Sequence, residues 1–314
     1  MKKKAIIISI KGLKLTNKEK LLLSKEKPWG LILFKRNIGS LNQIKGLIQS
    51  IRKATKDDKF PILIDEEGYN VSRLKKIIYH NISANFFGEL HKIDSKISIK
   101  IYKSYLTKLC KILKNIGINI NTIPVLDVLR THTNKVIGER SFSNNKTIVQ
   151  KLGKITVEQC NIHKIATVAK HIPGHGSSIS DSHFTTPRVN LDHSKLKNTD
   201  FYPFKYNHAQ FAMTAHILYT KIDKKNVATL SKKIIYKIIR KKIGFKGILI
   251  SDDISMKALK YDLVTNAIKS LEAGCNLVLY CSGNINDNFK LIKSIPFIDK
   301  FTLKKTSEFY NFLG

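Results

Sequence analysis

Cysteine is scarce, with four in 314 residues, at 110, 160, 275 and 281, and neither a CxxC pair nor the spacing of a disulfide framework. That excludes the stapled scaffolds of small secreted proteins and points to buried free thiols in a reducing compartment. Cys110 and Cys160 fall in expected helices, and Cys275 and Cys281 flank an expected strand. No apolar run approaches the roughly 20 residues of a membrane span. The basic start Met1-Lys2-Lys3-Lys4 leads into Ala5–Ile10, which Lys11 stops short of the apolar region of a secretory signal. A cytoplasmic protein with no membrane span is expected. Repeats, low-complexity linkers and Pro/Gly-rich boundaries are missing too, so residues 1–314 are read as a single domain, expected as a monomer.

Acid is in short supply as well. Asp and Glu number 23 against 56 Lys and Arg, a formal net charge of +33. Such a balance invites a polyanion reading, including a non-catalytic basic nucleic-acid-binding protein. Only seven of the 56 cations are Arg, however, and the Lys are scattered along every expected helix face rather than gathered into stripes. Dispersed charge is ordinarily a solvated surface, so no nucleic-acid partner is expected.

What the chain has in quantity is short, β-branched apolar runs. They lie near Ala5–Ile10, Gly30–Phe34, Pro61–Asp65, Asn119–Val125, Ile165–Lys170, Phe211–Ala215, Gly247–Ser251 and Asn276–Tyr280. Continuous apolar runs of this length suit parallel strands covered on both faces. Helical patterns separate them. Thr16 with Glu19 and Ser40 with Gln43 read as capping boxes, and Ser231 as an N-cap. Leu41, Ile44, Leu47, Ile48 and Ile51 form one helical stripe; Leu106, Leu109, Cys110, Leu113 and Ile116 form another, which ends at Gly117. Eight strands alternating with helices predict an α/β fold, a (β/α)8 TIM-type barrel, over an open doubly wound sheet.

A barrel of this kind keeps its chemistry at the C-terminal ends of its strands. Asp252 stands there in Ser251-Asp252-Asp253; one of the two acids is expected to face substrate and the other to brace the loop or cap a helix. Lys170-His171-Ile172-Pro173-Gly174-His175-Gly176 ends another strand and opens a long Gly/Ser-rich segment holding Asp181-Ser182-His183. An imidazole oriented by a carboxylate suits proton transfer near neutrality. Asp65 ends the third strand, and Arg140 follows the fourth. Acids, a lysine and a guanidinium around one opening describe a pocket for a hydroxyl-rich ligand. His171, His175 and His183 read alternatively as the ligands of a metal-dependent hydrolase. Their spacing matches no zinc signature, so no metal and no cofactor are expected.

These residues together resemble the family-three glycoside hydrolases, in their branch of single-domain bacterial β-N-acetylglucosaminidases. The likeness runs nearly end to end. It includes Gly30 to Asn37, Asp65-Glu66-Glu67-Gly68 with Arg73-Leu74, Pro124 to Val128, Gly138 to Ser143, Lys170 to Gly176 with Asp181-Ser182-His183, Met213 to His216, Ala228 to Ser231 and Ser251 to Met256. The resemblance implies a retaining, two-step hydrolysis. Asp252 aligns with the nucleophile, His183 with the general acid/base and Asp181 with the residue that orients it. Asp65, Arg73, Arg140, Lys170 and His171 align with residues that hold a terminal N-acetylglucosamine. The implied substrates are carbohydrates, N-acetylglucosaminyl-anhydromuramyl peptides from cell-wall turnover, and transfer of the glycosyl group to phosphate would use the same nucleophile. The chain departs from the family at Glu66, Tyr69-Asn70, Asn144-Asn145 and Ser177-Ser178. Tyr69 and Asn70 bear on the shape of the sugar pocket, and the Ser pair on the mobility of the catalytic loop.

Overall fold

A computed structural model describes residues 2–182 and 185–314. Among these residues the strands are β1 (Lys4–Ile8), β2 (Pro28–Leu33), β3 (Ile62–Ile64), β4 (Ile120–Asn121), β5 (Ala166–Ile172), β6 (Arg188–Val189), β7 (Phe211–Thr214), β8 (Leu218–Tyr219), β9 (Ile248–Asp253) and β10 (Leu277–Leu279). Eight close a parallel barrel in the order β1-β10-β9-β7-β5-β4-β3-β2. Helices α1 (Asn17–Glu26), α2 (Leu41–Thr55), α3 (Ala84–Ile93), α4 (Ser95–Ile116), α5 (Lys146–Ile162), α6 (His193–Asn198), α7 (Leu263–Ala273), α8 (Ile285–Ser294) and α9 (Lys300–Leu313) accompany them, with a π-helix over Ile234–Ile243. The expected (β/α)8 TIM-type barrel is the observed one, and all eight expected strands belong to it.

The apolar runs pair because each is covered on both faces. Every residue of β2 and β5 is buried, and Leu63 of β3 sits opposite Ile120 of β4, which sits opposite Ala166 of β5. At the strand starts, Trp29 meets Phe211 edge-on at 5.5 Å between ring centres, and Phe309 of α9 packs on Phe211 at 5.4 Å. Trp29 Nε1 donates to Thr306 Oγ1 at 2.9 Å, so this large ring is buried with its polar edge satisfied.

Local signals act as anticipated, with three exceptions. Thr16 and Glu19 form a complete capping box, Ser231 Oγ accepts the amide of Ile234, and Gly117 ends α4 in the left-handed region at φ 99°. At α2 the box is only half made. Ser40 accepts from the Gln43 amide, but Gln43 turns its own Oε1 to the amide of Gly39 at 2.7 Å. Leu41 also lies exposed, because the first position of α2 precedes the turn that meets the barrel. The expected fourth strand, Asn119–Val125, is cut to Ile120–Asn121, since Pro124 has no N–H to give a ladder. The chain still follows β5 there: Lys170 N donates to Pro124 O at 3.0 Å and Leu126 N to Lys170 O at 2.7 Å.

Candidate active site

The strand ends deliver their polar side chains to one cavity of about 530 Å³. Asp65 and Glu67 arrive just past β3, Lys170 and His171 on β5, Asp252 on β9, and Arg73 and Arg140 on the loops after β3 and β4. Asp65, Arg73, Arg140, Lys170, His171 and Asp252, six of the eight expected site residues, line this one space. Strand β9 runs further than anticipated, so Asp252 is held by the ladder rather than placed in a loop.

Two acids hold the three deep cations. Asp65 Oδ2 accepts from Arg73 at 2.8 Å, and its Oδ1 faces Lys170 Nζ at 3.3 Å and the hydroxyl of Thr122. Glu67 takes Arg140 in a two-point clamp, Nε at 2.7 Å and a terminal nitrogen at 2.9 Å, while Lys170 Nζ stands 2.6 Å from Oε1. Burial would raise both carboxyls, but the cations outweigh it. Lys170 and Arg73 drive Asp65 far below the usual carboxylate range; Arg140 and Lys170 lower Glu67 to about 2. Both acids are therefore anions at neutral pH, and Arg140, raised by Glu67 against the pull of burial, is a fixed cation.

A third buried acid organises the histidines. Asp127, fully buried, accepts His171 Nδ1 at 2.7 Å and the backbone amide of His175 at 2.6 Å. A carboxylate at Nδ1 fixes the ring so that Nε2 is the free edge of the imidazole. His175 lines the cavity beside it, with the ring centres 5.8 Å apart. Burial lowers His175 to about 4, so its ring is neutral. Arg73 Nε and His175 Nδ1 are buried without a hydrogen-bond partner among the described residues. A polar atom left so in a cavity is an opening for a ligand group.

The adjacent acids divide their positions. Asp252 lines the cavity, and its Oδ1 accepts the Asp253 amide at 2.8 Å. Asp253 turns away, bonding the amide and hydroxyl of Ser255 and, at 3.3 Å, the amide of Cys281. Behind them His216 is fully buried, with Nε2 donating to the Asp253 carbonyl at 3.0 Å and Nδ1 meeting Thr229 Oγ1 at 2.7 Å. Since a carbonyl only accepts, Nε2 carries the hydrogen. Burial, which would raise Asp252, is overcome by His216, His171, the Asp253 amide and Lys170, and the carboxyl lies below its ordinary value. Burial pulls His216 down as well. Asp252 is thus the anionic member of the pair.

The segment after β5 is tied down at its start. Ser177 gives its amide at 2.8 Å and its hydroxyl at 2.7 Å to the buried carboxylate of Asp200. Tyr219 OH bonds the Gly174 carbonyl, and Asn134 bonds the carbonyls of Ser178 and Ile179 through its amide and side chain, both at 3.1 Å. Gly174 has φ 136°, and a Cβ on it would lie 2.7 Å from the Asp200 carbonyl oxygen, so only glycine fits there. Further on, Ser182 lines the cavity. Asp181 precedes it and is not among the lining residues; its carbonyl accepts Thr185 N at 3.1 Å. His183 lies outside the described residues. Among the described residues no three His, Cys, Asp or Glu side chains are grouped to hold a metal ion.

Glu67, Asp127, Asp200 and His216 are the members that sequence reasoning left without a role. Glu67, Asp127 and His216 stand inside the motifs quoted above, so their presence was visible and their duty was not.

A closed parallel barrel whose strand ends gather carboxylates and cations into one pocket defines a (β/α)8-barrel enzyme. The model of the glycosyl hydrolase family 3 N-terminal domain matches residues 2–301, and the chain belongs to that family. It is 32% identical over 302 residues to a β-hexosaminidase of Actinobacillus succinogenes, covering 93% of this chain and 86% of the relative. A β-hexosaminidase of Haemophilus influenzae is 31% identical over 303 residues, covering 93% and 85%. The solved structure of NagZ from Neisseria gonorrhoeae with N-trifluoroacetyl-D-glucosamine superposes with a TM-score of 0.89 at 28% identity, covering 98% of this chain and 90% of that one.

Proposed function

We propose that the protein is an exo-acting, retaining β-N-acetylglucosaminidase that removes terminal β-linked N-acetylglucosamine. In this reading residues 1–314 work as one catalytic barrel domain, as a monomer in the cytoplasm, on N-acetylglucosaminyl-anhydromuramyl peptides from peptidoglycan turnover. The observation that carries it is an anionic Asp252 on the end of β9, facing a cavity whose other two acids, Asp65 and Glu67, are already paired with cations. The names of the relatives and the likeness of the motifs support the sugar.

Asp252 attacks the anomeric carbon as the bond to the leaving-group oxygen breaks, and that oxygen takes a proton from the His183 imidazolium. A water molecule then attacks the anomeric carbon of the glycosyl-enzyme and gives its proton to His183. The carboxylate leaves, and two inversions give retention. Asp181 orients His183. A histidine acid places no second anion beside the nucleophile, so Asp252 stays ionised. Asp65, Arg73, Arg140, Lys170 and His171 hold the sugar.

The test is turnover of an aryl β-N-acetylglucosaminide and trapping with a slow fluorosugar. The trapped label should map to the peptide holding Asp252, and Asp252→Ala should abolish release of the aryl alcohol. Normal turnover by that variant, or a label elsewhere, overturns the assignment. Comparing rates in phosphate and in a non-nucleophilic buffer separates hydrolysis from phosphorolysis.

A further inference from the structure

Four cations line the cavity: Arg73, Lys135, Arg140 and Lys170. Three are matched, Arg73 and Lys170 on Asp65 and Arg140 and Lys170 on Glu67. Lys135 is exposed and has no acid partner among the described residues. The lining acids are Asp65, Glu67 and Asp252, so the lining carries one positive charge in excess, and the unmatched ammonium is the outer one. A neutral sugar bound to the deep groups would leave that charge unanswered.

The backbone beneath Lys135 is fixed on both sides. Asn134 bonds the carbonyls of Ser178 and Ile179, and its Oδ1 accepts the Val136 amide at 2.9 Å. Arg140 reaches back to the Val136 carbonyl at 3.0 Å, which ties this loop to the clamp on Glu67. A long, mobile side chain therefore stands on a rigid base at the lip of the pocket.

We propose that Lys135 is a specificity-determining residue for the leaving group, receiving an anionic substituent, a carboxylate, borne by the aglycone. The assignment rests on the glycosidase reading above and deepens it by naming the residue of the pocket lip that would meet a charge on the leaving group. An ammonium on a flexible stem recognises charge rather than shape, so the preference is electrostatic and is screened by salt.

The test uses a matched pair of aryl β-N-acetylglucosaminides, one with a ring carboxylate and the other with the corresponding carboxamide. The carboxylate-to-carboxamide ratio of kcat/KM is compared between proteins, which cancels the difference in leaving-group acidity. Lys135→Met should lower the ratio about two- to fivefold, the range for an exposed ion pair, and Lys135→Arg should keep it. Lys304→Met, an exposed change of equal charge on α9, should leave the ratio unchanged. The wild-type preference should shrink as salt rises. An unchanged ratio in Lys135→Met, or an equal fall in Lys304→Met, overturns the assignment. If the wild type turns over neither glycoside, the glycosidase reading itself fails and this inference falls with it.

Discussion

Asp127 holds His171 from behind: its Oδ2 accepts Nδ1 at 2.7 Å while Oδ1 takes the His175 amide at 2.6 Å. One buried carboxylate thereby sets the orientation of a ring facing the cavity and satisfies the chain that carries the next one.

Asp127→Asn tests that arrangement. An asparagine can keep its oxygen on the His175 amide only by turning its NH2 toward His171, which forces the hydrogen from Nδ1 to Nε2. The cavity would then meet a donor where it now meets an acceptor. Nitrogen NMR of the ring should report the exchanged tautomer, and kcat/KM should fall about tenfold, the worth of one hydrogen bond.

Glu67→Gln should destabilise the protein at pH 7 by about 3–5 kcal/mol, because it leaves Arg140 buried without its counter-charge and Lys170 with Asp65 alone. The sign with pH follows from its lowered carboxyl. The ionic contribution is complete above the unfolded value of 4.5 and is lost as pH falls through about 2. In urea unfolding, the gap between wild type and variant should therefore narrow across that window. A constant gap would show that Glu67 acts only through packing.

His175 works the other way on the scale. Folded, it binds a proton only near pH 4; unfolded, it does so near 6.5. The unfolded state thus holds more protons between these values, and stability falls as pH drops from 6.5 to 4. His175→Leu should flatten that part of the stability curve, by on the order of 3 kcal/mol relative to wild type. Denaturant midpoints measured at half-unit steps would check it.

Ser177→Ala should cost about 1.5–3 kcal/mol, the range for a hydrogen bond to a charged group, because Asp200 loses the hydroxyl donor. Ser177→Asp should cost more. It would set a second carboxylate against one that is fully buried and already raised by burial. Thermal melts of the two variants should rank in that order.

Much of this was readable in advance because parallel strands advertise themselves. A run such as Trp29 to Leu33 must be apolar on both faces, and the residues that follow such runs are where polar groups converge. The pairing inside the cavity was hidden. Asp65 and Lys170 are 105 residues apart, and Glu67 and Arg140 are 73 apart, so no local pattern links them. Strands β6 and β8, two residues each, are too short to show a period. Ser177 reads as a loop residue until Asp200, 23 positions later, folds back beneath it.

Because Asp65, Lys170 and Asp252 ride on strands that become neighbours only through the ring, no partial barrel can contain the pocket. A ribosome-bound chain still lacking β9 would hold Arg73, Arg140 and Lys170 but not Asp252. Activity should appear in a single step when the ring is sealed, which spares the cell a half-built glycosidase.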